Sequence, residues 1–98
     1  MSLPVTLKRL AQAEFDDAVD RFESKRAGRG IEFNSAIRSI FDEISNDPKR
    51  YPEVRDDIRE ALVRDFQYAV YYRIETAQVV VLAVFHTSRD PVEWQRRA

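Results

Sequence analysis

The chain begins with a short stretch in which apolar and polar positions alternate. Within residues 3–8 the apolar positions are Leu3, Val5 and Leu7, with Pro4, Thr6 and Lys8 between and after them. A period of two is typical of a strand with one buried face. Pro4 limits this strand to a sheet edge or places proline at the strand's start. The sequence therefore predicts a short first strand.

From about residue 11 the apolar period lengthens to that of a helix. The apolar positions then fall three and four residues apart and form one stripe: Ala11, Phe15, Ala18, Val19 and Phe22. Acidic side chains occupy the early turns and basic side chains the last ones, which complements the helix dipole: Glu14, Asp16 and Asp17, then Arg21, Lys25 and Arg26. These patterns predict an amphipathic helix.

A second amphipathic helix follows after a short connection. Gly28 and Gly30 are the only glycines and lie where the first stripe ends. The next stripe stops at Asn46-Asp47-Pro48, and its members are Phe33, Ile37, Ile40, Phe41 and Ile44. The short connection predicts an antiparallel helical hairpin.

The second half of the chain predicts strands. Residues 47–57 hold two prolines and seven charges and predict a surface loop, and residues 58–65 are mixed. Residues 66–74 alternate as a strand, residues 75–78 form a short turn, and residues 79–85 are apolar on both faces. The last run predicts a central strand. The fold class is therefore α+β, in the order βααβββ, with an antiparallel sheet packed against the N-terminal helical hairpin.

The composition fits one small domain. The 98 residues are 44% hydrophobic, enough for one modest core, so we expect a single domain over residues 1–98. Charged residues make up 34% of the chain, but the formal net charge is only -1. Because the molecule has no strong positive field, non-specific binding to nucleic acid gains little support.

Several other classes of protein are disfavoured. The chain has no cysteine and one histidine, so we expect no metal site, no cofactor and no disulfide. The first residues lack the apolar run of a signal peptide, and the longest apolar run is too short to span a bilayer. We therefore expect a cytoplasmic protein with no membrane partner.

The stretch VFHTSRDPVEW, residues 84–94, contains the only histidine. His86 beside Arg89 has the composition of a general base next to an anion-binding cation. The same stretch can equally be the end of a strand and the start of a helix, with Asp90 as the cap, Pro91 in the first turn and Trp94 packing the helix onto the domain.

Two segments resemble a known family. RYPEVRDDIREALVRDFQYAVYYRIE and VVVLAVFHTSRDPVEWQRR, together with the βααβββ order, resemble the RelE/ParE superfamily of bacterial type II toxin-antitoxin systems, in particular its ParE-like plasmid-stabilisation branch. The resemblance covers nearly the whole chain. It implies a toxin held in a hetero-oligomer by a cognate antitoxin, whose C-terminal part wraps across the toxin's helices and sheet.

The resemblance implies one of two activities, and the sequence favours one of them. Nuclease members cleave messenger RNA on the ribosome, and many have an Arg-Leu-Val-Tyr signature where this chain has Tyr68-Ala69-Val70-Tyr71. Many also use a C-terminal tyrosine, and the similar position here is Trp94, which exchanges no proton. A neutral phenol in place of a guanidinium loses a charge-assisted contact with phosphate. We therefore expect a ParE-like inhibitor that binds DNA gyrase, without sequence-specific DNA binding of its own.

Two alternatives remain open. One is a ribosome-dependent endoribonuclease with His86 as the base and with Arg64 and Arg89 on phosphate. The other is a family member that binds an antitoxin but poisons nothing.

The candidate partner-binding residues are Arg64, Tyr68, Tyr71, Arg73, His86 and Arg89, whereas Tyr72 is predicted to lie in the core. Arg64, Arg73 and Arg89 form a cationic patch if they meet at one end of the sheet. The alternative is three solvated arginines paired with acidic neighbours, namely Asp65, Glu75 and Asp90.

Overall fold

A computed structural model describes residues 2–97, and within them the predicted α+β fold is confirmed. One five-stranded sheet is covered on one face by a helical hairpin and partly on the other by a short helix. The elements are β1 (Val5–Leu7), α1 (Arg9–Lys25), α2 (Arg29–Asn46), β2 (Glu53–Arg55), β3 (Ile58–Val63), β4 (Tyr68–Ile74), β5 (Val79–His86) and α3 (Val92–Gln95). The strands lie in the order β1-β5-β4-β3-β2 in the sheet.

The hairpin of α1 and α2 buries both predicted apolar stripes. Its aromatic side chains meet edge to face, which is a favourable arrangement of their quadrupoles, and Phe15 and Phe33 have centroids 6.2 Å apart. The connection is tight because Gly28 adopts a left-handed conformation, with φ at 89°. The Glu23 carboxylate of α1 accepts hydrogen bonds from the N–H groups of Gly28 and Gly30 at 2.9 and 3.0 Å. This carboxylate thereby provides acceptors for N–H groups that have no partner within the first turn of a helix.

The strands β4 and β5 are buried on both faces of the sheet. The face toward the hairpin carries Val70, Tyr72 and Val84, and the prediction that Tyr72 lies in the core is confirmed, since this ring is fully buried. The opposite face carries Tyr71 and Phe85, together with the other members of a second cluster around Trp94. Trp94 of α3 is only 4% exposed. The predicted packing of a short terminal helix through Trp94 is thus confirmed.

The strand β5 is an interior strand covered on both faces, as its uniform apolar pattern predicted. Its residues from Val79 to Phe85 are all buried, and it lies between β4 and β1. The pairing with β4 is antiparallel, but the pairing with β1 is parallel, with Val5 opposite Val79. The sheet is therefore not wholly antiparallel. The connection through α1 and α2 carries the chain from β1 to the opposite edge of the sheet, and the later strands then return step by step until β5 lies beside β1 in the same direction.

Two local predictions were wrong. The surface loop predicted over residues 47–57 contains β2, whose side chains are all exposed and which pairs with β3 alone. Because β2 has no buried face, its sequence shows no alternation of apolar and polar residues from which a strand could be predicted. Phe66 was predicted to begin the strand over residues 66–74, but it belongs to a 3-10 turn over Arg64–Phe66, and Gln67 follows with φ at 57°. The Phe66 side chain is buried all the same.

Candidate functional site

A cleft of about 650 Å³ lies between α1 and the end of β5. One wall is a stripe of α1, and the other is formed by β4, β5 and the two loops that flank them. The lining residues are Glu14, Asp17, Arg21, Phe22, Lys25, Phe66, Gln67, Tyr68, Val84, His86, Ser88 and Arg89. Three predicted site residues, Tyr68, His86 and Arg89, therefore meet in one place.

Tyr68 and His86 form the middle of the cleft because they lie opposite each other on β4 and β5. Their rings meet edge to face with centroids 5.2 Å apart. The Tyr68 hydroxyl accepts a hydrogen bond from Arg21 Nη2 at 2.9 Å. Burial raises the pKa of the Tyr68 phenol, and Arg21 and Arg89 oppose that rise. Tyr68 is thus held as a neutral hydrogen-bonding group.

The His86 ring is oriented by the loop that follows β5. The backbone N–H of Ser88 donates to His86 Nδ1 at 3.1 Å, and the Ser88 hydroxyl lies 2.7 Å from the same nitrogen. These contacts occupy Nδ1 and leave Nε2 as the ring nitrogen available to a partner. Ser88 was not among the predicted residues.

Arg89 is tied down by carboxylates. Glu14 Oε2 lies 3.4 Å from Arg89 Nη1, and Glu93 accepts a hydrogen bond from Arg89 Nη2. The guanidinium also lies over the Phe85 ring, 4.2 Å from its centroid. The predicted ion pairing of Arg89 thus occurs, although with these two residues rather than with Asp90. Asp90 instead accepts a hydrogen bond from the N–H of Val92, and Pro91 occupies the cap position, so α3 begins one residue later than predicted.

Glu14 connects α1, β5 and the C-terminal segment. Its two oxygens accept hydrogen bonds from Arg97 at 2.8 and 3.0 Å, and Oε1 also accepts one from the Val84 N–H at 3.2 Å. Arg97 donates further to the Leu82 carbonyl at 3.2 Å. The Glu14 and Arg97 side chains are only 15% and 18% exposed. This pair satisfies backbone groups of β5 that no neighbouring strand reaches.

Arg21 and Lys25 are the cations of the cleft that form no ion pair within residues 2–97. Both belong to α1 and share one face with Glu14 and Asp17, because spacings of three and four recur along the series 14, 17, 21 and 25. From the sequence, these four residues were predicted only to complement the helix dipole. The same spacing, applied to polar positions, was the signal that they line a common surface.

The other three predicted residues lie outside the cleft. Arg64 is exposed in the 3-10 turn before β4. Arg73 is at the far end of β4, where it pairs with Glu75 at 3.4 Å. Arg73 lies five positions beyond Tyr68 along the strand, which corresponds to roughly 17 Å. Arg64, Arg73 and Arg89 therefore do not form a single patch.

Tyr71 lies on the opposite face of the sheet. Its ring is buried and stacks on Trp94, with centroids 4.0 Å apart and planes at 15°. Its hydroxyl donates to Glu60 at 2.7 Å. Burial, followed by this bond to a carboxylate, raises the pKa of the Tyr71 phenol. In this structure Tyr71 anchors α3 and presents no free surface to a partner.

Among residues 2–97, no group of three or more potential metal-binding side chains comes together. The helices within the same residues include none that is long and apolar enough to cross a membrane.

The same fold occurs in a solved structure of another protein. A solved structure described as the chromosomal ParDE TA system from P. aeruginosa contains a chain of the same fold, with a TM-score of 0.65 and 12% sequence identity. The alignment covers 89% of this chain and 98% of that one. No curated protein sequence matches the chain.

The family is shown by the sequence itself. Residues 5–91 match the family model described as ParE toxin of type II toxin-antitoxin system, parDE. The chain therefore belongs to the ParE toxin family, and the resemblance recognised in its sequence is confirmed.

Proposed function

We propose that this protein is a toxin that inhibits DNA gyrase by direct protein binding and is neutralised by a cognate antitoxin. The observation that carries the proposal is the match to the ParE toxin family over residues 5–91. Within this proposal the toxin and its antitoxin form a hetero-oligomer in the bacterial cytoplasm, where gyrase acts.

The three residues of the nuclease hypothesis do not assemble into one phosphate-binding site. Stabilising a scissile phosphate requires cations directed at the position where negative charge develops. Of the three groups in the nuclease hypothesis, Arg89 is engaged by Glu14 and Glu93, and Arg64 does not line the cleft. Only His86 retains a nitrogen free for proton transfer.

Purified gyrase provides the test. We expect the protein to inhibit supercoiling of relaxed plasmid in a dose-dependent way and to increase cleaved DNA complexes. Arg21→Glu is the cleft variant, and Arg38→Glu is its matched control, because Arg38 is exposed on the opposite helix α2. We expect the cleft variant to lose inhibition and the control to retain it. Full supercoiling at toxin doses that stop growth would overturn the gyrase proposal.

Neutralisation is tested in the same reaction. The protein encoded beside this gene, added in equimolar amount, is expected to restore supercoiling. If a neighbouring protein binds this chain tightly and leaves inhibition intact, then it is not the neutralising partner.

The endoribonuclease remains the second candidate, since His86, Arg21 and Lys25 line one cleft. Mapping of messenger RNA ends after induction distinguishes it, because a nuclease leaves cuts in translated codons that disappear in His86→Ala. Intact transcripts together with arrested growth favour gyrase. Normal growth during soluble expression favours the non-toxic family member.

A further inference from the structure

The strand β2 forms one edge of the sheet and has an open side. It pairs with β3 alone, and its side chains are all exposed. The residues around it are exposed as well, from Pro52 to Asp57. An edge strand in this state is a template for pairing with another strand.

The ladder between β2 and β3 shows which backbone groups face outward. The Glu60 N–H donates to the Pro52 carbonyl at 3.1 Å, and the next pair along the ladder is Glu53 with Arg59. Since bonded and non-bonded pairs alternate in an antiparallel ladder, the N–H and the C=O of Glu53 point away from β3. One donor and one acceptor therefore lie together on the free edge.

The segment around β2 carries charges of opposite sign at its two ends. Lys49 and Arg50 precede the strand, and Asp56 and Asp57 follow it. Lys49, Asp56 and Asp57 form no ion pair within residues 2–97. The ion pair of Arg50 there is an exposed contact with Glu43 at 3.7 Å. When such a segment lies antiparallel to its own copy, the basic end of each meets the acidic end of the other, so this edge is complementary to itself.

A two-fold axis at Glu53 fits the backbone as well as the charges. Each Glu53 N–H then donates to the Glu53 carbonyl of the second copy. Pro52 falls opposite Val54 in a pair that needs no backbone bond, so proline's lack of an N–H does not matter there. Val54, which is 43% exposed, gains an apolar neighbour. The two Glu53 carboxylates come close in this register, and Arg59, 3.9 Å from Glu53 within each copy, offsets part of their repulsion.

We propose that β2 is a self-association surface, through which two copies of this chain pair antiparallel about Glu53 and place Lys49 of each beside Asp57 of the other. The pairing uses the same edge of both copies, so it closes at a dimer. The cleft beside β5 lies toward the other edge of the sheet and stays open. The dimer therefore presents two clefts on one continuous sheet.

Sedimentation equilibrium of the purified full chain measures the association. Because the interface is small, we expect a Kd of about 0.1 mM. The affinity should fall as the salt concentration is raised, since exposed ion pairs are screened.

A charge exchange between two variants tests the register. Lys49→Glu and Asp57→Lys each bring like charges together twice in the dimer, so either variant alone should associate about tenfold more weakly. An equimolar mixture restores opposite charges at both contacts and should recover the affinity of the unmodified protein. Arg38→Glu changes an exposed charge on α2 and should leave association unchanged. The exchanged side chains are exposed and form no ion pair within the described residues, so both variants remain folded.

Hydrogen exchange tests the backbone contact. The amide of Glu53 should exchange more slowly at protein concentrations at which the dimer forms than in dilute solution.

A chain that stays monomeric at about 1 mM would overturn the proposal. So would a mixture of the two charge variants that associates no better than either alone, or a Glu53 amide whose exchange does not depend on concentration. None of these measurements uses gyrase or an antitoxin, so their outcome is independent of the proposed function.

Discussion

At the scale of single residues, Glu14 has the largest structural role in the cleft. Its carboxylate forms ion pairs with Arg89 and Arg97, accepts a hydrogen bond from the Val84 N–H, and is partly buried. A carboxylate of this kind is stabilising only while its partners stay in place, because an unpaired buried charge is costly. Glu14 thus couples the position of α1 to the C-terminal segment.

Replacement of this carboxylate should destabilise the protein. Glu14→Gln keeps the shape of the side chain but removes the charge that holds Arg97 and Arg89, so we expect the free energy of unfolding to fall by about 1–3 kcal/mol. Urea denaturation measures it. Asp17→Asn is the control on the same face of α1, and its effect should stay within about 0.5 kcal/mol. Equal effects would show that the Glu14 network contributes no net stability.

The sequence predicted the chemistry of some of these residues but not their partners. His86 and Arg89 were found because one segment places them at the end of an apolar strand, and Tyr68 was found because residues 68–71 take the place of the family's nuclease signature. The bond between Glu14 and Arg97 joins positions 83 residues apart, and no local period links them. Tyr71 shows the same limit, since alternation indicates its face of the sheet but not that Trp94 covers it.

At the scale of elements, a side chain is disfavoured at each glycine of the helical connection for a different physical reason. Gly28 has the left-handed φ, and a Cβ there would meet open space. Gly30 has ordinary helical geometry, but a Cβ there would lie 2.6 Å from the Val19 carbonyl oxygen. One position is constrained by the backbone, and the other by the approach of α1 to α2.

Alanine at the two positions should therefore cost different amounts. We expect Gly28→Ala to lower the free energy of unfolding by about 1 kcal/mol, through backbone strain alone. Gly30→Ala should cost about 2–3 kcal/mol, because α1 and α2 must move apart. Chemical denaturation of the matched pair compares them directly. A larger loss for Gly28→Ala would refute the proposed close approach.

Most elements were predictable because each carries its own period. The stripes of α1 and α2 and the uniform apolar run of β5 each determine a structure from local spacing. β2 was not predictable in this way, since its exposed side chains leave only backbone bonds to define it. The parallel pairing of β1 with β5 also follows from packing over the whole chain rather than from a pattern within either strand.

At the scale of the whole molecule, the phenol pKa of all four tyrosines is raised. Burial is the first cause that raises the pKa of Tyr51, Tyr68, Tyr71 and Tyr72. For Tyr51 a hydrogen bond to Glu43 adds to the effect of burial, and the pKa of this phenol rises to about 12. The fold therefore favours neutral phenols.

This arrangement predicts a loss of stability at alkaline pH. A group whose pKa is raised on folding contributes stability that is complete below the unfolded value, 10.0, and is lost as the pH rises through the folded value. The free energy of unfolding should therefore fall between about pH 10 and 12, and less steeply in Tyr51→Phe. Urea denaturation at a series of pH values across this range measures the free energy of unfolding of both proteins. Tyrosinate absorbance developing fully near pH 10 in the folded protein would contradict the prediction.

The interior position of β5 has a consequence for synthesis. Of the five described strands, β5 leaves the ribosomal exit tunnel last, yet it separates β1 from β4 and supplies one wall of the cleft. A nascent chain that ends before residue 79 has no strand beside β1 and lacks that wall. The cleft therefore assembles only after the ribosome has translated β5.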